Sequence, residues 1–212
     1  YTLSLPDALP ISWQERLDRG EITVDGVVAA GGEPVTEANC IEWRPGNLPE
    51  PPVDGNYRIL YEDETVVAVN KPGNLPMHPA GPFFRHTLWH MLKERYEEIF
   101  PVNRLDRETS GVVLWARSSP VCAWLSRQLG RMEKCYWVWV EGNFPSPLVA
   151  AGALLPDPAS PVRKKQRLVI GATDGIRAET ALRPLEYQDG MTLVEARPAT
   201  GRMHQIRATL YS

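Results

Sequence analysis

The stretch Asn103-Arg104-Leu105-Asp106-Arg107-Glu108-Thr109-Ser110-Gly111 carries the densest set of chemically capable side chains in the chain. A carboxylate between Arg104 and Arg107, on a loop leading into the apolar run Val112–Trp115, is arranged to stay ionised. Nearby guanidinium charge lowers a carboxyl pKa by roughly 1–3 units. Thr109 and Ser110 can bond the loop backbone, and Gly111 permits a tight turn. Taken alone, an Asp flanked by Arg reads as a surface ion pair. His86 and His90 are spaced i,i+4 on an expected helix, a spacing that can bind zinc. With no HExxH pattern and no third ligand they read as exposed or capping histidines, and no metal is expected. Trp124, Trp137 and Trp139 offer a stacking platform, although core packing is the expectation for most of them. The basic run Arg163-Lys164-Lys165-Gln166-Arg167, aided by Arg202 and Arg207, is the one candidate anion-binding patch. By itself such a run reads as a solvated strand or loop.

The elements that must hold these residues follow from pattern. Residues 1–12, YTLSLPDALPIS, carry two prolines and no period, and are set aside as a non-native segment. Residues 13–48 form a small module. Trp13 to Leu17 ends a helix, and Ile22-Thr23-Val24 and Val27-Val28 flank Asp25-Gly26, a hairpin signal because both turn positions need positive φ. Pro45 to Pro52 is proline-rich, and residues 49–56 are assigned as the linker to the main domain. The main domain spans 57–212. There Thr65–Val69 reads as a buried strand ending at the loop Asn70-Lys71-Pro72-Gly73. Thr87 caps a helix with apolar positions at Leu88, Met91, Leu92, Tyr96 and Ile99. Val112–Trp115 is a strand, and Ser119-Pro120 starts a helix with Trp124, Leu125 and Leu129 on one face. Cys135–Val140 is a strand. Arg177–Tyr187 and Met191–Arg197 form a hairpin around Asp189-Gly190, and Gly201 leads into a final helix. Irregular alternation with hairpins predicts an α+β fold: a mixed, largely antiparallel sheet with flanking helices.

Composition is that of a globular chain: 212 residues, 43% hydrophobic, 23% charged, net charge −3. No apolar run approaches the ~18 residues a membrane span needs, so no membrane partner is expected. Cys40, Cys122 and Cys135 are odd in number and lack CxxC spacing, which argues against a disulfide framework and a zinc site and fits a reducing cytoplasm. The mildly acidic balance does not announce a nucleic-acid partner, so any such attraction has to be local.

NRLDRETSG resembles the HRLDxxTSG signature of the RluA-like family of RNA pseudouridine synthases. Three further segments match in order: VNKPGNLPMHPAG at 69–81 is similar to VNKPxGLxVHP, KCYWVWVEG at 134–142 to KxYxAxVxG, and RPATGRMHQIRATL at 197–210 to LxTGRxHQIRxHL. WQERLDRGEITVDGVV also resembles the second half of an S4-type RNA-binding module. The resemblance implies a pseudouridine synthase fold with a central catalytic cleft. It implies Asp106 as catalytic residue, Tyr136 against the target uracil, Arg207 paired with Asp106, and Leu105 and Ile206 lining the pocket. Arg104 would fill the space left by a flipped base. Arg163, Lys164, Lys165, Arg167 and Arg202 would contact RNA, either ribosomal or transfer RNA. No cofactor is implied, in keeping with the absence of a Gly-rich phosphate loop, and a monomer is expected. Asn103 stands where the family usually has His. The family's motif continues past HQIRxHL whereas this sequence stops at Ser212, so the fold is expected to be C-terminally truncated.

Two rival readings differ in what they require. A non-catalytic RNA-binding fragment or scaffold would use the S4-like piece and the basic run, leaving Asp106, Tyr136 and Arg207 without work. A hydrolase would want a second catalytic carboxylate, for which Glu108 is the close candidate.

Overall fold

The computed structural model describes residues 13–44, 50–160, 165–172 and 174–211. They fall into two compact units divided between Cys122 and Ala123. The first contains α1 (Trp13–Asp18), β1 (Ile22–Val24), β2 (Val27–Val28), β3 (Ile41–Trp43), β4 (Arg58–Glu62), β5 (Val66–Lys71), α2 (Leu88–Lys93), β6 (Phe100–Pro101) and β7 (Gly111–Ala116). The division falls inside α3 (Ser119–Gln128). The second unit contains β8 (Tyr136–Glu141), β9 (Leu148–Pro156), β10 (Gln166–Val169), β11 (Ile176–Gln188), β12 (Met191–Pro198) and α4 (Gln205–Tyr211). Every strand pairing among the described residues is antiparallel, and the fold is α+β as expected. No helix among them is long and apolar enough to cross a membrane.

In the first unit the expected hairpin is present: Asp25 and Gly26 both adopt positive φ, 50° and 81°. The sequence pattern did not announce β3, which pairs with β1 to complete a sheet of order β2-β1-β3. Asp25 holds that third strand in place by accepting from the Cys40 amide at 2.8 Å and the Asn39 side chain at 2.7 Å. The buried Arg16 guanidinium of α1 lies 4.0 Å from the Trp43 ring centroid.

The larger sheet of this unit has the order β4-β5-β7-β6. Val67 and Val69 of β5 sit opposite Trp115 and Val113 of β7, and all four are fully buried with Leu88 and Leu92 of α2. Each such side chain contributes roughly 1.5–3 kcal/mol by leaving water. The strand does not end at Val69. It runs through Asn70 to Lys71, because Lys71 still pairs with Gly111 across the ladder. Thr87 caps α2 by accepting from the His90 amide at 3.2 Å. The helix stops at Lys93, short of the expected length, yet Tyr96 and Ile99 still enter the core from the segment beyond it. His86 precedes the cap and is not on the helix. Its Nδ1 lies 2.8 Å from the Pro51 carbonyl oxygen, so the two histidines do not share a helical face.

The second unit is a five-stranded sheet of order β10-β9-β11-β12-β8. Asp189 and Gly190, at φ 51° and 79°, close the expected β11–β12 hairpin. One face carries Leu182, Val194 and Ala196, against which Tyr136, Val138 and Val140 of β8 and Ile206 and Leu210 of α4 pack. The tryptophans correct the core-packing expectation: Trp124, Trp137 and Trp139 are 56%, 71% and 48% exposed. Alternation along β8 puts Tyr136, Val138 and Val140 on the covered face and the two strand tryptophans on the other.

Candidate active site

Asp106 lies half-buried on the irregular stretch between β6 and β7, with Arg104 and Arg107 exposed on either side. The loop that carries it is fixed from within the first unit. Leu75 donates its amide to the Arg107 carbonyl at 3.1 Å, and Thr109 donates to the Asp106 carbonyl at 3.1 Å. Gly73 comes so close that a Cβ there would meet the Glu108 carbonyl oxygen at 3.2 Å. A further contact, which the sequence motifs did not single out, is Lys71. Its side chain is 0% exposed, and its Nζ donates to the carbonyls of Pro72 (2.7 Å), Leu75 (2.9 Å) and Arg107 (3.0 Å). Burial pushes its pKa down to about 8, while the charges of Glu108 and Asp106 pull it back up. The loop between β5 and α2 and the loop bearing Asp106 are thus bonded to each other through backbone.

Gly111 has φ 133°, a value that favours glycine, and begins β7 immediately after this loop. Asn103 uses its side chain on β7. It accepts from the Leu114 amide at 2.7 Å, and its Nδ2 lies 3.5 Å from the Val112 carbonyl oxygen. The residue that replaces the family's His therefore holds the strand. Leu105 packs against the core of the unit. Arg107 turns to Glu108 at 2.6 Å, an exposed pair, so Glu108 is engaged with its neighbour.

Tyr136, Arg207, Ile206 and Arg202 belong to the second unit. Tyr136 and Ile206 meet on the same cluster around Leu182, Val194 and Ala196. Arg207 is exposed on α4, and Arg202 is exposed just before it. The start of α4 is set by Gln205, a second residue that the motifs did not single out. Its Oε1 accepts from Thr200 Oγ1 at 2.7 Å and the Arg202 amide at 3.1 Å, and its Nε2 donates to the Glu179 carbonyl at 2.9 Å and Thr180 Oγ1 at 3.0 Å. His204, directly before it, takes a positive φ of 53°. Of the basic run, Arg163 and Lys164 lie outside the described residues. Lys165 sits 3.4 Å from Asp157 and 3.4 Å from the centroid of the Tyr211 ring, and Arg167 is exposed on β10. A shallow depression of about 400 Å³ lies on the tryptophan-bearing face of the sheet, lined by Val149, Ala181, Arg183, Glu195 and Arg197 among others. None of the expected site residues lines it. Among the described residues no group of three His, Cys, Asp or Glu side chains is placed to hold a metal.

A sequence model of the RNA pseudouridylate synthase family matches residues 65–212, which include the Asp106 loop, the Lys71 turn, β8 and α4. The chain belongs to this family. Human pseudouridylate synthase RPUSD2 is 37% identical over 166 residues, covering 76% of this chain and 30% of that protein. A Synechocystis sp. RNA pseudouridine synthase is 31% identical over 210 residues, covering 95% of this chain and 70% of its own length. The solved structure of human RNA pseudouridylate synthase domain containing 1 superposes with a TM-score of 0.61 at 23% identity, covering 76% of this chain and 66% of that one, and so shares the fold. The chain spans under a third of the human relative's length and about seven tenths of the cyanobacterial one.

Proposed function

We propose that the chain carries the catalytic domain of an RNA pseudouridine synthase, an isomerase that converts a specific uridine of structured ribosomal or transfer RNA to pseudouridine, with Asp106 as catalytic residue. The observation that carries this reading is the Asp106 loop. It lies in the stretch matched by the family, and its backbone is pinned at Asp106 and Arg107 by bonds to Thr109, Leu75 and Lys71. A carboxylate on a fixed backbone can be presented to a reacting sugar without an ordering cost at the moment of reaction.

A uridine in structured RNA has to leave its stack first, which costs a few kcal/mol. Arg104, exposed beside the loop, supplies a planar cation that stacks and hydrogen-bonds in the vacated space. Asp106 acts as nucleophile or base at the ribose. The N-glycosidic bond breaks, the uracil turns, and a carbon–carbon bond forms in its place. The carbon gives up a proton and the ring nitrogen takes one up, so the step is an isomerisation needing no oxidant, phosphoryl donor or cofactor. Tyr136 is assigned to the uracil face and Arg207 to the Asp106 carboxylate, with Leu105 and Ile206 lining the pocket. Arg163, Lys164, Lys165, Arg167 and Arg202 are assigned to phosphates, and a partial S4-like RNA-binding role to the module at 13–48. The protein is assigned to the cytoplasm as a monomer. Its three cysteines, odd in number and without CxxC spacing, support that compartment.

Asp106→Asn keeps the shape of the side chain and removes its nucleophilic and basic character. Pseudouridine formation in the substrate RNA is expected to vanish while RNA affinity stays within a few-fold. Substantial turnover by the variant would overturn the assignment, and affinity that is flat between low and moderate salt would remove the basic patch from it.

A further inference from the structure

We propose that the loop at residues 80–86, beside the Asp106 loop, is an RNA contact in which Arg85 takes a phosphate and Phe84 an unpaired base, and that Glu50 is the positioning residue that presents both. The inference rests on the reading of the chain as an RNA pseudouridine synthase. Three successive amides of this loop converge on one carboxylate. Phe84 and His86 donate to Glu50 Oε2 at 2.7 and 2.8 Å, and Arg85 donates to Oε1 at 2.8 Å. Burial pushes the Glu50 carboxyl up, yet the amides of Arg85, His86 and Phe84 and the charge of His86 outweigh it and hold its pKa below the ordinary value. The group is therefore ionised at neutral pH, and its bonds are of the strong, charge-assisted kind. The segment that carries Glu50 is itself docked on the first unit. The Pro51 carbonyl oxygen lies 2.8 Å from His86 Nδ1, Val53 packs against the core, and the Asp54 amide donates to the Asn74 carbonyl at 3.2 Å.

The two ends of the loop are closed without Glu50. Ala80 and Phe83 exchange both amide–carbonyl bonds, at 3.0 and 3.1 Å, and the buried Thr87 donates its amide to the Arg85 carbonyl at 2.8 Å. Between those points the carboxylate fixes the backbone and so decides where the side chains go. Phe83 turns inward, and its ring centroid lies 5.4 Å from the Arg107 guanidinium, which sets the loop against the stretch bearing Asp106. Phe84 turns outward and is 47% exposed. Arg85 is exposed as well, and none of the ion pairs among the described residues involves it. Residues 80–86 include no acidic side chain, and the Glu50 charge is committed to amides. An uncompensated guanidinium beside an exposed ring suits a phosphate and an unstacked base.

The test measures binding and turnover of the full-length protein on unmodified total RNA from cells lacking it, with pseudouridine as the product read, beside amide hydrogen exchange. Arg85→Ala should raise the apparent KM about tenfold with kcat within about twofold, as for loss of binding shared by substrate and transition state. Its plot of log affinity against log salt should be shallower by about 0.7–0.9, the value of one phosphate contact. Phe84→Leu keeps an apolar side chain without the ring, and affinity should fall about fivefold with the salt slope unchanged. Glu50→Gln offers one acceptor oxygen in place of two. Exchange should quicken at the Phe84, Arg85 and His86 amides and stay slow at Val67 and Val113, and KM should rise. Because Glu50 acts through the residues it presents, adding Glu50→Gln to the Phe84→Leu, Arg85→Ala double variant should change KM by less than about twofold. Wild-type affinity and salt slope in Arg85→Ala, unchanged exchange in Glu50→Gln, or effects that multiply in the triple variant overturn the proposal. Phe84 and Arg85 are exposed, so their variants test the surface even if Glu50→Gln fails to fold. Turnover by Asp106→Asn would end the catalytic assignment and leave this contact to be read from binding alone. Unchanged RNA binding by the double variant would end the contact and leave catalysis standing.

Discussion

Lys71 in the first unit and Gln205 in the second are both sealed from water, 0% and 3% exposed, and both are bonded to the backbone beside residues assigned to the site. Lys71 holds the Asp106 loop with a charge and three donors. Gln205 holds the start of α4, and with it Ile206 and Arg207, through a neutral amide that accepts two bonds and donates two. The amide can satisfy donors and acceptors at once, and its bonding does not change with pH. The ammonium only donates, binds more strongly, and titrates. Two loops in one chain are thus held by clamps of similar size and different chemistry, one responsive to pH and one indifferent to it.

The comparison breaks most visibly in stability. Lys71→Met leaves the Pro72 and Leu75 carbonyls without the Lys71 donor and the Arg107 carbonyl with the Leu75 amide alone, and we expect a loss on the order of 3 kcal/mol in denaturant unfolding. A loss no greater than that of a surface lysine substitution would mean that water or a shifted loop replaces the ammonium at no cost. Gln205→Met should cost less, about 2 kcal/mol, because the lost bonds are between neutral groups. Its signature should be faster exchange at the Ala208 amide, which donates to the His204 carbonyl, with the Leu75 amide unaffected.

The smallest effect sharpens the contrast best. Unfolded, Lys71 keeps its proton up to about its ordinary value of 10.5; folded, it keeps it to about 8. Between those values the unfolded chain binds the extra proton, so the Lys71 contribution makes stability rise with pH, by at most about 1.4 kcal/mol per unit. Below about 8 the full cost of burying the charge applies. The Lys71→Met variant should lose this rise and Gln205→Met should keep it. Identical stability–pH slopes in wild type and Lys71→Met would show that Lys71 stays protonated throughout.

Much of the fold was legible because it rests on neighbours in sequence. Asp25-Gly26 and Asp189-Gly190 announce their turns because both need positive φ, and Thr87 announces a cap because its hydroxyl reaches the His90 amide three residues on. The four motifs located the Asp106 loop, β8 and α4. Lys71 carries a subtler signal in its spacing. Alternation along β5 puts it on the same face as Val67 and Val69, so a strand extended by two residues places a lysine at a core position. Gln205 had no comparable signal, since its partners Glu179 and Thr180 lie more than twenty residues away.

The sequence by itself determined local conformation, the order of the motifs and the identity of the groups able to do chemistry, since these depend on bonds and sterics within a few residues. Only the tertiary structure decided that Ile41–Trp43 joins β1, that β5 continues to Lys71, and that Trp137 and Trp139 face outward while Tyr136 faces the packed side of the sheet. An aromatic residue in a strand has the same local pattern on either face. Which face is buried depends on the segments that pack there, and in this unit α4, sixty-nine residues beyond Tyr136 in the sequence, covers one of them.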